Sequence, residues 1–222
     1  MLTQGKLSGV RVIGFDLDQT LFPKAPEIDH KIQEYICERI AAEKGVGIAE
    51  AGRLFEERYR GGAGMTGNEA LADLGLPNPV AIVQEALERS DISSLLTPDP
   101  ATLALVRDLR HSYESVDLIT GSGRTQTEKK LAALGFEHTD FDHFITADDA
   151  SKSTGESYRL WLSFYPALLP PQFLYIGDRP RSDHEVPAAL GIQTALVYVT
   201  EPDEKLSCLQ CTSLADIRPH LL

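Results

Sequence analysis

The sequence predicts an α/β fold, a doubly wound parallel sheet with an inserted all-α segment. Two observations carry this prediction. Short apolar runs alternate with helical patterns through the second half of the chain, which is typical of parallel strands joined by right-handed helical crossovers. Between residues 23 and 96, in contrast, only helical patterns occur. We therefore expect residues 1–22 and 97–222 to form the α/β core and residues 23–96 to form a helical insert.

The first strand of the predicted core ends in two carboxylates. An apolar run that begins at Val12 stops at Asp16 and Asp18, which one residue separates. Alternate side chains of an extended segment point the same way, so both carboxylates share one side while Leu17 turns into the core. Two such acids repel each other unless a cation or a shared proton compensates them. Taken alone, the pattern is equally consistent with a structural role, because Asp often ends a strand or opens a turn.

The composition is that of a soluble globular protein. The chain has 222 residues, of which 42% are hydrophobic and 24% are charged, and is long enough to bury a substantial core. Its net charge of −12 argues against a nucleic acid polymer as the main partner. No apolar run reaches the length of a signal peptide or a membrane span. We expect a cytoplasmic monomer or homodimer that has no membrane partner.

The insert is predicted to contain four helices. Its first helix carries apolar residues at three- and four-residue spacing, namely Ile28, Ile32, Tyr35, Ile36 and Ile40. A second helix stops at the glycine-rich segment 61–64. Thr66 or Asn68 opens a third helix, and Pro79 suits the first turn of a fourth. This insert accounts for roughly a third of the chain.

After the insert, strands and helices alternate. The apolar runs that predict strands cover residues 116–120, 144–146, 173–178 and 194–199. The helical patterns between them cover about 101–111, 125–134, 155–165 and 183–190. The last strand that the pattern indicates clearly is the one at 194–199.

Polar side chains follow several of these strands and should gather at one edge of the sheet. Asp16, Thr120 and Asp178 each end an apolar run. In an open α/β sheet, ligands bind outside the carboxyl ends of the strands. Lys152 precedes a helix, and Asp183 follows Asp178 by five residues. Such a carboxylate cluster with a hydroxyl and a lysine suits phosphoryl chemistry on Mg²⁺, which prefers oxygen ligands and leaves phosphate oxygens for the other donors.

In this order, the residues resemble the motifs of the haloacid dehalogenase (HAD) superfamily of aspartate-nucleophile phosphatases. Residues 16–20 fit the DxDxT first motif, Thr120 fits the second, Lys152 the third, and residues 177–183 the fourth, GDxxxxD. The resemblance covers the whole sheet domain, and the ordered set at this spacing is highly specific. It implies a Rossmann-like HAD core, and the insert resembles the helical cap of the superfamily.

The resemblance implies a role for each motif residue. Asp16 attacks the phosphorus and forms an aspartyl-phosphate, while Asp18 protonates the leaving oxygen and then takes a proton from the hydrolytic water. Mg²⁺ is the implied cofactor, held by Asp16, the backbone carbonyl of Asp18, the phosphate and Asp178, with Asp183 in support. The implied phosphate-binding residues are Thr120, Gly121 and Lys152.

The implied function is hydrolysis of a phosphate monoester of a small metabolite. Within the superfamily, residues 21–24 and Arg58, Tyr59 and Arg60 look similar to the pyrimidine 5′-nucleotidase branch, which implies a nucleoside 5′-monophosphate as substrate and the cap residues as specificity determinants. Two features depart from that branch, the Gly-Ser after Thr120 and the Ser after Lys152. A sugar-phosphate phosphatase or mutase shares every motif, and a non-enzymatic descendant that binds a phosphorylated ligand or a partner protein is a further alternative.

The cysteines form no recognisable metal or redox motif. Cys208 and Cys211 make a single CxxC pair without a second pair or a nearby His, and Cys37 lies in a helical pattern. We interpret all three as incidental thiols. Trp161 and Tyr158 lie at helical spacing and are predicted to be core residues, while His138, His143 and His184 are predicted to lie at the surface or in loops.

Overall fold

The structure, a computed structural model, describes residues 7–59 and 65–222. Within these residues the chain forms two compact units. One contains the described residues up to Pro23 and those from Leu96 to Leu222, and the other runs from Lys24 to Leu95. The predicted boundaries, 22/23 and 96/97, each lie one residue from these. Among the described residues, no helix combines the length and the apolar character that a membrane crossing needs.

The described residues of the inserted unit contain four α-helices, α1 (Pro26–Lys44), α2 (Ile48–Glu56), α3 (Gly67–Asp73) and α4 (Pro79–Arg89). Its core is formed by buried apolar residues from all four helices, including Ile40, Phe55, Leu71 and Ile82. Thr66 begins α3 with a capping box, in which its hydroxyl accepts the Glu69 N–H and the Glu69 carboxylate accepts the Thr66 N–H. The predicted all-α character of the insert is thus found in its described residues.

The second unit is built on six parallel strands, β1 (Val12–Phe15), β2 (Ser115–Ile119), β3 (Phe144–Ile145), β4 (Phe173–Gly177), β5 (Gln193–Leu196) and β6 (Leu209–Gln210). Their order across the sheet is β3-β2-β1-β4-β5-β6, and every neighbouring pair is parallel. The order reverses direction at β1, so the sheet is doubly wound. The predicted fold class is confirmed.

Helices connect the strands and cover the sheet. They are α5 (Pro100–Ser112), α6 (Arg124–Ala133), α7 (Glu156–Ser163), α8 (Val186–Ala188) and, after β6, α9 (Arg218–Leu221). Asp99 begins α5 by accepting the N–H groups of Ala101 and Thr102, an N-cap that ends the return from the insert. Trp161 and Tyr158 of α7 are fully buried against the sheet, which confirms the prediction that they are core residues.

The register of β1 brings the strand ends together. Phe15 pairs with Leu118 of β2 on one side and with Ile176 of β4 on the other. The residues that follow these strands therefore meet at one edge. Gly14, in the middle of β1, is required by packing, since a Cβ there would lie 2.8 Å from the Trp161 ring.

Two sequence expectations differ from the structure. The helix predicted at about 183–190 is a π-helical segment (Pro180–Glu185) followed by the single turn α8, so His184 is buried and hydrogen-bonded through Nδ1 to Thr194 rather than lying at the surface. Strand β6 and helix α9 have no counterpart in the prediction, because the Leu-Gln sequence of β6 forms no apolar run and a four-residue helix is too short to show a period.

Candidate active site

Three carboxylates meet at the carboxyl edge of the sheet. Asp16 directly follows β1, Asp178 directly follows β4, and Asp183 lies in the π-helical segment after it. One oxygen from each of the three can be chosen so that all lie within 4.8 Å of one another. Asp16 and Asp183 are buried, and Asp178 is partly buried. The structure therefore brings together the acids that the sequence placed at the ends of separate strands.

Lys152 holds two of these acids. Its Nζ lies 2.8 Å from Asp16 Oδ1 and 2.8 Å from Asp183 Oδ1, and only 9% of its side chain is exposed. Its position in the loop before α7 places the ammonium 5.1 Å from the centroid of the Tyr175 ring, on β4. A buried lysine is costly unless it is paired, and here two carboxylates pair it.

Asp183 is fixed by four hydrogen-bond donors. Its Oδ2 accepts the backbone N–H groups of Asp178 at 3.0 Å and Arg179 at 2.9 Å, and its Oδ1 accepts the Ser182 hydroxyl at 2.9 Å besides Lys152. These bonds close the loop after β4 around the carboxylate. Gly177 makes the packing feasible, because a Cβ at that position would lie 2.5 Å from Asp183 Cβ. Asp183 therefore orients the loop that carries Asp178.

Charge and burial act in opposite directions on these groups. Burial raises the pKa of Asp16 to about 7, with Lys152 opposing the rise and the negative charges of Asp183 and Asp18 adding to it. Burial also acts to raise the pKa of Asp183, but Lys152 and the donors around it outweigh burial and hold that pKa below its ordinary value. Burial acts to lower the pKa of Lys152, and the charges of Asp16 and Asp183 reverse the effect and raise it, so the lysine is a stable cation.

The acid group has the chemistry of a magnesium site. Mg²⁺ takes oxygen ligands from one or a few carboxylates and keeps water or phosphate at its other positions. When all three are ionised, the acids carry three negative charges, while Lys152 and the half-exposed Arg179, 3.9 Å from Asp178, supply two positive ones. An added dication thus meets a group with negative charge left over. The donor set fits the predicted Mg²⁺.

Asp18 lies apart from this acid group and has its own partners. Its Oδ1 accepts a hydrogen bond from Lys130 Nζ at 2.7 Å, and its Oδ2 accepts one from Ser122 Oγ at 2.5 Å. Burial acts to raise the pKa of Asp18, but Lys130 and Ser122 outweigh it, and the pKa lies below the ordinary value. The next residue, Gln19, has a φ of 62°, so the chain turns sharply after Asp18.

Thr120 and Gly121 follow β2, the strand beside β1. Thr120 is fully buried, and its Oγ1 accepts the backbone N–H of Ser122 at 3.1 Å. An accepting hydroxyl keeps its own hydrogen for another partner. Gly121 is exposed. Both residues thus lie at the strand-end edge where the sequence placed them.

Comparison by sequence finds no match for this chain, whereas comparison by structure finds several. No protein-family model and no curated protein sequence matches it. A HAD phosphatase from Thermococcus onnurineus matches in structure with a TM-score of 0.65 at 20% identity, covering 95% of this chain and 97% of that one. A haloacid dehalogenase-like family protein, SP0104 from Streptococcus pneumoniae, matches with a TM-score of 0.67 at 18% identity, covering 97% and 100%. The HAD-hydrolase YfnB from Bacillus subtilis, solved bound to magnesium, gives 0.60 at 15% identity, covering 96% and 98%.

The chain has the fold of the haloacid dehalogenase-like hydrolases. These matches extend over the sheet and the insert together, since each covers 95% or more of this chain. Identities of 20% and below make the likeness one of fold.

The cap residues predicted to set specificity have partners inside the cap. Arg58 donates to Asp73 Oδ2 at 2.7 Å and to the Leu54 carbonyl at 2.9 Å. The Tyr59 ring stacks on Phe55, with 4.9 Å between the centroids. These contacts give both side chains a role in holding the cap together. Arg60 and the glycine-rich segment that follows it lie outside the described residues.

Sequence reasoning missed two residues that bind Asp18, Ser122 and Lys130. Ser122 stood next to a predicted phosphate-binding residue without being singled out. Lys130 occupies a buried position of α6, on the face that also carries Thr127 and Leu131. The available signal was a lysine at an apolar position of a helical pattern, which is unusual because lysine is rarely buried without a partner.

The remaining sequence interpretations concern residues away from this site. Cys208 and Cys211 are buried free thiols, and burial raises the pKa of each to about 11, so neither is a reactive thiolate at neutral pH.

Proposed function

We propose that this protein is a Mg²⁺-dependent phosphate monoester hydrolase that acts on a small phosphorylated metabolite through an aspartyl-phosphate intermediate. The observation that carries the proposal is the division of labour between two acids of one loop. Asp16 is buried in the acid group against Lys152, while Asp18, two residues later, is bound separately by Lys130 and Ser122. The pKa of Asp16 is raised without a metal ion, and a cation in the acid group would favour its carboxylate as the nucleophile. Asp18, whose pKa is lowered, acts as the acid in its protonated form and as the base in its ionised form.

In the first step Asp16 acts as the nucleophile. Its carboxylate oxygen forms a bond to phosphorus as the bond from phosphorus to the ester oxygen breaks, and Asp18 gives a proton to that leaving oxygen. In the second step Asp18 takes a proton from a water molecule, whose oxygen attacks the phosphorus and releases Asp16 and inorganic phosphate. One residue serves as acid and then as base, so its protonation state is restored after each cycle.

Lys152 and Thr120 are placed to hold the phosphate. The Lys152 ammonium neutralises charge on the phosphate oxygens, and the Thr120 hydroxyl supplies a neutral donor. Gly121 is exposed at the same edge and is the third residue proposed for the phosphate site. Fixed donors of this kind stabilise the charge that builds up during transfer without reorganising.

The acid group would hold Mg²⁺ through Asp16 and Asp178, together with the Asp18 backbone carbonyl, and Asp183 would orient the loop. Bound Mg²⁺ would offset the negative charges of the phosphate dianion and of the nucleophile, which otherwise repel each other. YfnB, which shares the fold, was solved bound to magnesium, and this supports the same ion here.

The finer proposal, a pyrimidine nucleoside 5′-monophosphate as substrate, depends on the sequence resemblance of residues 21–24 and 58–60. Arg58 and Tyr59 are engaged within the cap, so their contacts add no support for it. We therefore propose the broader substrate class, with a nucleotide as one member to be tested. The protein is proposed to act in the cytoplasm on a free metabolite, as a monomer or homodimer, without nucleic acid polymer or membrane.

The test is phosphate release from a panel of nucleoside monophosphates, sugar phosphates, phosphoglycolate and p-nitrophenyl phosphate, with Mg²⁺ or with EDTA. We expect turnover of at least one compound that requires Mg²⁺ and is lost in Asp16→Asn. Asp108→Asn is the matched control, because Asp108 is exposed and pairs with Arg218 of α9. Appreciable turnover with EDTA or in Asp16→Asn contradicts the mechanism, and no turnover of any compound favours the non-enzymatic alternative.

A further inference from the structure

Lys130 is a buried charge to which the proposed mechanism gives no role. Only 2% of its side chain is exposed, and a lysine is almost never buried to this extent unless it is paired. Its Nζ donates to Asp18 Oδ1 at 2.7 Å and to Ser122 Oγ at 2.9 Å, and Ser122 Oγ donates to Asp18 Oδ2 at 2.5 Å. The three side chains thus form a closed ring of hydrogen bonds in which both oxygens of Asp18 are occupied.

Stability does not explain a buried ion pair at this position. Replacing such a pair by well-packed apolar side chains is often neutral or stabilising, since the removal of two charges from water is costly. The neighbouring buried position of α6, Leu131, is apolar, so the helix already packs by apolar contacts there. The charge therefore has to be explained by what it binds.

The hydrogen-bond ring fixes the side chain of Asp18, which lies in a turn. Asp18 precedes a residue with positive φ and follows the end of β1, so no regular element holds its side chain. Lys130 projects from the regular helix α6, and Ser122 lies two residues before the first residue of that helix. A group built on a helix is held more accurately than one built on a loop.

We propose that Lys130 and Ser122 are positioning residues that hold the Asp18 carboxylate for proton transfer, with Lys130 anchoring Oδ1 and Ser122 leaving Oδ2 as the oxygen that exchanges the proton. This inference rests on the proposed phosphatase function. The Ser122 hydroxyl is neutral and rotates, so its bond is given up more readily than the charge-assisted bond from Lys130. The proton passes from Oδ2 to the leaving oxygen in the first step and from water to Oδ2 in the second.

The ring also holds Asp18 as an anion between the two steps. Once Asp18 has protonated the leaving group, its carboxylate carries a negative charge two residues along the chain from Asp16. Lys130 balances that charge from the side of α6. Without Lys130, the carboxylate would be free to turn away from the water that it must deprotonate.

The test separates formation of the phospho-enzyme from its breakdown by rapid quench, in the parent and in Lys130→Met. Methionine has similar length and no charge. We expect breakdown to slow by at least about 10-fold, within the about 10²–10⁴-fold typical of general acid–base assistance. Formation from p-nitrophenyl phosphate, whose leaving group hardly needs a proton, should change much less than formation from an alkyl phosphate. Lys129→Met is the matched control and should leave both steps unchanged, because Lys129 is the exposed neighbour on the same helix.

A double-mutant cycle tests whether Lys130 acts through Asp18. In an Asp18→Asn background, adding Lys130→Met should change phospho-enzyme breakdown by less than about 2-fold, the usual limit of additivity error. Equal losses in both steps with p-nitrophenyl phosphate, or a full additional loss in the Asp18→Asn background, overturn the proposal. If Lys130→Met does not fold by circular dichroism, Ser122→Ala carries the same test, with the same expected signature.

The outcome distinguishes this inference from the proposed function. A parent enzyme without turnover that depends on Asp16 contradicts the proposed function itself. An active parent whose Lys130→Met and Ser122→Ala variants match it in both steps leaves the function standing and overturns only the positioning role.

Discussion

The core unit contains two kinds of buried carboxylate, and their surroundings differ. Asp117, in the middle of β2, is fully buried and accepts five hydrogen bonds. They come from Ser115 Oγ, the backbone N and Nδ1 of His143, Trp161 Nε1 and Tyr165 OH, at 2.7 to 3.1 Å. Asp16, after β1, pairs with Lys152 and lies close to the two other acids of the site. Asp117 is saturated with donors, whereas Asp16 is among repelling neighbours.

This difference distinguishes a structural carboxylate from a reactive one. Donors that saturate Asp117 are themselves fixed by it, and burial together with the bond to Asp117 raises the pKa of Tyr165, which keeps that phenol protonated as a donor. Burial and the neighbouring acids make the ionised Asp16 unfavourable, and an added cation would relieve this cost. Folding stability is lost at such a site and recovered on binding.

The largest expected effect is on turnover in Asp16→Asn. Loss of a nucleophile should lower kcat by about 10⁴-fold or more. The free energy of unfolding should stay constant or rise by about 1 kcal/mol, equivalent to about 2–4 °C in Tm for a domain of this size, because a crowded charge is removed. Phosphate release and thermal unfolding without Mg²⁺ measure the two quantities. A clear fall in Tm would mean that Asp16, like Asp117, is structural.

Asp117→Ala should give the opposite pair of results. Four residues lose their shared acceptor, and breaking such a buried network typically costs about 3–5 kcal/mol of unfolding free energy. Urea unfolding measures this loss. The kcat of the protein that remains folded should stay within about 2-fold of the parent, because Asp117 lies outside the acid group. Asp117→Asn, which keeps one acceptor oxygen and the size of the side chain, should lie between Ala and the parent.

Two glycines allow the same comparison on the backbone. A Cβ at Gly177 would lie 2.5 Å from Asp183 Cβ, and one at Gly14 would lie 2.7 Å from Ile119 Cδ1. Gly177→Ala should therefore displace Asp183 and lower kcat/KM by about 10²-fold, the effect of a misplacement near 1 Å. Gly14→Ala should instead cost about 1–3 kcal/mol of stability through overpacking, with little change in kcat of the folded protein. A larger loss of activity in Gly14→Ala than in Gly177→Ala would contradict this assignment.

The strand-end acids could be predicted from the sequence, whereas the partners of the buried carboxylates could not. Asp16 and Asp178 directly follow apolar runs that predict strands, Asp18 comes two residues after Asp16, and parallel strands share that edge. The fold class followed from the alternation of such runs with helical patterns.

The hydrogen-bond partners of the buried carboxylates lie on other helices and strands. The distances between those elements are set by the tertiary structure. Lys130 is 112 residues from Asp18, and Trp161 is 44 residues from Asp117. A helical pattern gives the buried face of α6 or α7, but it does not give the atom that each buried side chain meets. Strand β6 escaped prediction for a different reason. It is as short as β3, which was predicted, but its Leu-Gln sequence forms no apolar run.

The smallest expected effect concerns Asp140, a third carboxylate that is satisfied near the surface. Its two oxygens accept Arg107 Nε at 2.8 Å and Nη2 at 3.1 Å, and Oδ2 also accepts the Glu137 N–H at 2.9 Å. Burial acts to raise the pKa of Asp140, but these bonds outweigh it and hold the pKa below the ordinary value. A carboxylate whose pKa is lower in the folded state contributes stability above the unfolded pKa of about 3.9, and this contribution is lost as the pH falls through that value toward the folded pKa.

Asp140→Asn should therefore lower the free energy of unfolding at pH 6 by about 1 kcal/mol, a value reduced by the solvent exposure of Arg107. The difference between variant and parent should shrink as the pH is lowered below about 4, where the parent carboxylate also becomes protonated. Urea unfolding at a series of pH values measures this difference, with Asp108→Asn as the control for an exposed pair. A difference that stays constant across this range would mean that Asp140 stabilises the fold by packing rather than by its charge, and would separate it from both Asp117 and Asp16.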